Sequence, residues 1–136
     1  MNILYDTNII LDVFLERHPF FENSAYLLDL AEKRLVNGWL GATTLTTIYY
    51  LLNRELSSDK SEKIIQSLFD VFNVAPVNRF VLNSALEINF KDNEDAILHQ
   101  SAFHSNLDGI VTRNKKDFSK AKLSVYTPQE LLVLLE

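Results

Sequence analysis

The stretch NILYDTNIILDVF, Asn2 to Phe14, decides how the rest of the chain is read. Its first four residues form a short, mostly apolar run ending at the turn signal Asp6-Thr7-Asn8, which suits a buried β-strand leading into a helix. From there the period changes. Ile9, Ile10, Val13 and Phe14 recur at helical spacing toward Arg17, and Pro19 stops that helix because it has no backbone N–H to donate. Asp6 therefore stands directly after a strand.

Working outward, the alternation continues. A helix from about Glu22 carries Ala25, Leu28 and Leu35 on its apolar face, and Asn37-Gly38 is read as its stop, followed by a strand over Trp39 to Ala42. Thr44 to Leu56 mixes β-branched and aromatic residues, but its length and its Ile48, Leu51, Leu52 spacing make it a helix. Ser58 or Asp59 opens the next helix, with Ile64, Ile65, Leu68, Phe69 and Phe72 on one stripe. A strand over Asn73 to Val77 and a helix over Arg79 to Asn89 follow.

Asp92 and Asp95 then form an aspartate version of a capping box at the start of a helix running to about Asn106. Asp108-Gly109 turns into a strand over Ile110 to Thr112; a short basic loop, a strand at Ser124 to Tyr126 and a helix entered through Pro128 complete the chain. Short β-runs alternating with helices imply a parallel sheet covered on both faces, with right-handed crossovers. The fold class is α/β.

The 136 residues suit one domain spanning residues 1–136, and 47% hydrophobic residues can fill its core. No cysteine is present and the three histidines are scattered, so a metal would be a hard ion held by carboxylates. The net charge of -5 excludes a general nucleic-acid coat. Binding of a nucleic acid would be local, at Arg113, Lys115, Lys116, Lys120 and Lys122, a segment that reads equally well as a solvated loop. Asp6 and Asp12 interrupt the N-terminal apolar run, so no secretory signal is visible and a cytoplasmic protein is expected. The longest apolar stretch, Leu131 to Leu135, is too short to span a bilayer.

In an open parallel sheet, ligands bind beyond the carboxyl ends of the strands, where the chain order reverses. Asp6 after the first strand, Asp95 in the first turn of a helix and Asp117 after the Ile110 strand can converge there. Two carboxylates about 4 Å apart repel by about 4 kcal/mol at an effective dielectric near 20, and a divalent ion removes the conflict. Magnesium or manganese suits carboxylate and water oxygens, and it can activate a water toward phosphorus. Singly, each acid also has a structural reading: Asp6 and Asp92 as helix caps, Asp117 as a partner for the surrounding lysines.

Taken together, LYDTNIILD (residues 4–12), NEDAILHQSA (93–102) and IVTRNKKDF (110–118) resemble the three blocks of a PIN domain, in the same order and over almost the whole chain. The resemblance implies a three-layer α/β/α sandwich with a central parallel sheet and an acid cluster binding Mg2+ or Mn2+ for RNA cleavage. Many such relatives are VapC-like toxins of toxin–antitoxin pairs, so an antitoxin protein and a homodimer are the implied partners. By position, Asp6, Asp95 and Asp117 match the family's acids and Asn114 the polar residue of the final loop, with Asp92 a further metal ligand. Asn8, Thr47, Thr112, Arg113, Lys115 and Lys116 are expected to face the substrate.

One departure matters. In TTLTTIYYLL (residues 43–52) Thr47 stands where the family usually places a glutamate, so a carboxylate is lost, and Thr47 can only hydrogen-bond a water of the ion. That substitution motivates an alternative, a PIN-like protein that binds nucleic acid or a partner without cleaving it. A phosphorelay receiver domain, also α/β, is disfavoured because NVAPV (residues 73–77) holds no phosphate-accepting aspartate. Asp12 is read as facing solvent or capping local packing, His99 as a surface histidine, and His18 and His104 as structural.

Overall fold

The computed structural model describes all 136 residues, Met1 to Glu136. Strand β1 (Asn2–Tyr5) alternates its side chains between two cores: Ile3 and Tyr5 enter one hydrophobic cluster and Leu4 the other. Both faces of this strand are thus covered. The larger cluster takes Ile9, Ile10 and Leu11 of helix α1 (Thr7–Phe14), Leu27, Leu28 and Ala31 of α2 (Phe21–Glu32), and Ile48 and Leu52 of α3 (Ala42–Glu55). Leu68 of α4 (Ser58–Val71) and Leu131 of α7 (Pro128–Leu135) close it. On the opposite face, Leu98 and Ala102 of α6 (Asn93–His104) pack on Leu4 and on Ile110 of β4 (Gly109–Val111), while α5 (Arg79–Glu87) lies against α6 through Val81, Ala85, Ala96 and Ile97.

Strands β2 (Asn37–Gly41), β3 (Asn73–Ala75) and β5 (Ser124–Tyr126) complete a five-stranded sheet in the order β3-β2-β1-β4-β5. Every neighbouring pair is parallel. The chain therefore steps outward from β1 to β3, crosses back to β4 and steps outward again, so its order reverses between β1 and β4. The register Tyr5 opposite Val111 brings the ends of these two central strands level, and the Asp6 amide extends the ladder to the Val111 carbonyl at 3.0 Å. The sheet, with helices on both faces, is the α/β/α sandwich expected from the sequence.

Several local readings differ from the structure. Leu35 lies beyond α2 and is exposed, Ser57 rather than Ser58 or Asp59 caps α4, and β2 and β3 end at Gly41 and Ala75 rather than at Ala42 and Val77. Asn37-Gly38 is not the stop of α2: the helix ends at Glu32, Arg34 adopts φ 60°, and Asn37 and Gly38 already belong to β2. A Cβ at position 38 would lie 2.7 Å from the ring of Phe72, the residue that follows α4, so this glycine serves the close packing of a strand against that ring rather than a helix end. Nor do Asp92 and Asp95 form a capping box, since Asp92 accepts from the Glu94 amide and no return bond is made. The reciprocal box sits instead at Thr127 and Glu130, at the start of α7. No helix is long and apolar enough to cross a membrane.

Candidate functional site

Asp6 leaves β1 and becomes the N-cap of α1, its Oδ1 accepting from the Thr7 amide at 2.8 Å. Its other oxygen, Oδ2, accepts from the hydroxyl of Thr112 at 2.7 Å, a residue 106 positions away that follows β4. Thr112 is fully buried and accepts in turn from the Asn114 amide at 3.0 Å. The strand pairing at the reversal point thus sets one carboxylate, and Thr112 and Asn114 hold it from the neighbouring strand.

Asn114 leads into one turn of 3-10 helix, Lys115–Phe118, with its carbonyl accepting from the Asp117 amide at 2.9 Å. Buried Phe118 pins this turn into the core beside Leu98, which leaves Lys115, Lys116 and Asp117 exposed around it. Across a cavity of about 480 Å³ stand Asp92 and Asp95 from the start of α6, with Lys116, Asp117 and Lys120 also lining it.

Asp95 is half-buried and its carboxylate has no hydrogen-bond or salt-bridge partner. Burial, and then the charges of Asp6, Asp92, Asp117 and Glu94, push its carboxyl up to about 7. Asp6 is also pushed above the usual carboxylate range, first by burial, against the hydrogen bonds from Thr112 and Thr7. Asp6 and Asp117 are thus close enough to oppose the ionisation of Asp95, and Asp117 that of Asp6. No three acid or histidine side chains close into a direct ligand shell. Oxygen-only donors, surplus negative charge and room for solvent fit a hard divalent cation that keeps several of its own waters.

The remaining expected residues divide. Asn8, in the first turn of α1, is contacted by Arg17 at 3.4 Å. Thr47 is half-buried on α3 and its hydroxyl makes no hydrogen bond; one turn earlier, buried Thr44 meets the Thr7 hydroxyl at 3.0 Å. Thr44 escaped the sequence reading, although its spacing from Thr47 places both on one helical face. Lys115 pairs with Glu130 at 3.0 Å, and Lys116 lines the acid cavity.

Arg113 is engaged inside the protein. Its Nε and Nη2 donate to the two oxygens of Asp12 at 2.7 and 3.1 Å, and its guanidinium lies 3.9 Å from the Phe20 ring centre. Asp12 is fully buried, not solvent-facing. His99 is also buried: its Nε2 accepts from the Lys122 amide at 2.9 Å, so it ties the segment after the 3-10 turn to α6. His18 pairs with Glu22, and His104 contacts Ser84.

A family model described as the PIN domain matches residues 2–116, ending one residue before Asp117. Ribonuclease VapC1 of Aquifex aeolicus is 23% identical over 133 residues, covering 94% of this chain and 91% of its own length. Among solved structures, FitAB bound to an IR36 DNA fragment superimposes with a TM-score of 0.73 at 22% identity, over 93% of this chain and 94% of that one. A toxin–antitoxin complex from Klebsiella pneumoniae gives a TM-score of 0.71 at 21% identity, over 93% and 97%.

Proposed function

The chain belongs to the PIN domain family, and from that premise we propose that it is a metal-dependent endoribonuclease acting on single-stranded RNA, the toxin of a toxin–antitoxin pair. The carrying observation is the site itself. At the reversal point of a parallel sheet, Asp6 is held by Thr112 while Asp95 and Asp117 add negative charge with no protein cation bonded to Asp6 or Asp95. The similarity to Ribonuclease VapC1 supports the reaction class, and the similarity to a toxin–antitoxin complex supports an antitoxin partner.

Asp6, Asp95 and Asp117, with Asp92 at the edge, would hold magnesium or manganese. When bound, such an ion supplies an activated water and positive charge against the phosphodiester. The chain's own residues set the geometry. Thr112, fixed by the Asn114 amide, holds Oδ2 of Asp6, which leaves that carboxylate one orientation. The carboxylate of Asp95, with no hydrogen-bond or salt-bridge partner in the protein, is left free to meet the ion. Lys116 and Lys120, on the rim of the same cavity, attract the phosphate backbone. In this reading the protein acts in the cytoplasm and pairs with a second copy of itself.

The test is cleavage of a fluorescent single-stranded RNA with manganese or with chelator. Cleavage should require the ion and be lost in Asp6→Asn and Asp95→Asn, while circular dichroism shows both variants folded. Either variant cutting as fast as the parent sinks the site. A second reading, a PIN-domain protein that binds nucleic acid or a partner without cleaving it, is favoured by Thr47 and by the open acid cluster. It predicts RNA binding with no metal-dependent cleavage in the parent itself.

A further inference from the structure

The largest cavity, about 610 Å³, lies beside the acid site rather than in it. It forms a trough between α5, α6 and the segment after the 3-10 turn, and Asn89 and Lys120 line both cavities, so the two are neighbours. Its walls combine two features that are uncommon together. Phe80 is 62% exposed and packs edge-on against His104, which in turn meets Phe103; Lys120 and Lys122 also line the cavity, the Lys122 ammonium 5.9 Å from the Phe103 ring centre, with Glu87 as the only acid lining it.

The polar floor of this trough is preorganised. The Lys122 amide donates to Nε2 of His99, so the ring proton sits on Nδ1 and donates to Oε1 of Gln100 at 2.8 Å. The Gln100 amide group then donates to the Ser84 hydroxyl, which also meets Nε2 of His104 at 3.2 Å. One main-chain N–H thus sets the direction of three hydrogen bonds. The floor cannot swing to meet a ligand, but it can present fixed groups to one.

We infer that this trough is a binding subsite for single-stranded RNA leading to the acid cavity, in which a base stacks on the exposed face of Phe80, braced from the side by His104, and Lys120 and Lys122 hold the adjoining phosphates. The inference rests on the ribonuclease reading for the identity of its ligand. Exposed aromatic rings beside cations suit a nucleotide because every base has a π-face and each phosphate brings one charge. The shared lining residues Asn89 and Lys120 place the stacking wall next to the acid cavity. The trough adds contact along the chain without touching the bond to be cut.

The test measures fluorescence anisotropy of a labelled oligouridylate of about ten nucleotides, within the span such grooves take, in chelator so that nothing is cleaved. Phe80→Ala should weaken binding about ten-fold with its salt dependence unchanged, because stacking carries no charge. Replacing Lys120 and Lys122 together with Ala should lower the slope of log affinity against log salt by about 1.4, two phosphates at roughly 0.7 each. In cleavage assays with manganese, Phe80→Ala should raise KM about as much as it raises Kd. Unchanged affinity in all variants of a parent that binds and cleaves RNA would overturn the subsite and leave the ribonuclease reading standing. A parent that neither binds nor cleaves RNA overturns both. If Phe80→Ala instead turns a dimer into a monomer in sedimentation, the face is an interface between copies and the subsite falls.

Discussion

Asp6 and Asp12 lie on the same strand–helix unit, and burial leaves them 6% and 0% exposed. Their surroundings are opposite. Asp12 receives a two-pronged guanidinium from Arg113 and a longer contact from the Ser24 hydroxyl at 3.3 Å, so its charge is matched inside the protein. Asp6 receives one amide and one hydroxyl, while Asp117 and Asp95 add charge of its own sign. Arg113 is near enough to favour the Asp6 carboxylate, yet its donors are aimed at Asp12. The chain has a guanidinium available at the reversal point and places it against the other acid. An ion from outside has a use where the protein's own cation has been directed elsewhere.

The comparison can be broken most forcefully at Asp12. Asp12→Asn removes the charge partner of a largely enclosed guanidinium and should cost about 3 kcal/mol, read as a fall of about 10 °C in melting temperature. Asp6→Asn should shift stability by less than about 1 kcal/mol in chelator, because it removes a charge that burial already disfavours. Equal losses in the two variants would mean that both acids serve the fold alike.

A smaller effect concerns pH. The Asp95 carboxyl is raised from 3.8 to about 7 in the folded protein, so between those values the native state binds more protons than the unfolded chain. Metal-free stability should therefore fall as pH rises through that window, with Asp6 acting in the same direction. Melting temperatures at about pH 5 and about pH 7.5 in chelator measure it. Asp95→Asn should flatten the difference, and a variant with the parent's full pH dependence would place its source elsewhere.

The mildest test supplies a further acid. Thr47→Glu on α3 adds a carboxylate at the position where its half-buried hydroxyl now makes no hydrogen bond. In chelator the new charge should slightly lower stability through repulsion with Asp6 and Asp95; with manganese, the rise in melting temperature should exceed the parent's, and cleavage should need less metal. An unaltered response to metal in a folded variant would show that Thr47 does not face the acids, and that the wall formed by α3 belongs to Thr44 instead.

Much of this was legible in linear sequence. The run before Asp6, the capping residues Asp6 and Asp92, and the apolar stripes carry element types and order, because strand alternation and helix capping act over a few residues. The α/β class and the position of Asp6, Asp95 and Asp117 at loop and helix starts followed from the same local rules. Boundaries were less legible where a local signal had a distant use. Asn37-Gly38 has the form of a helix stop, but the Asn37 amide bonds the Met1 carbonyl and Gly38 makes room for Phe72.

What the sequence by itself determined is therefore the alternation of elements and the supply of acids at strand ends. Tertiary structure decided how those acids are divided. Whether Asp12 faces water or a guanidinium depends on Arg113, 101 positions away, and the hydroxyl that holds Asp6 comes from 106 positions away. His99 was read as a surface residue, yet the closing of the segment after the 3-10 turn over α6 buries it completely. Pairing between charges and burial of polar groups act through space, and separation along the chain carries no record of them until the parallel strands β1 and β4 are set side by side.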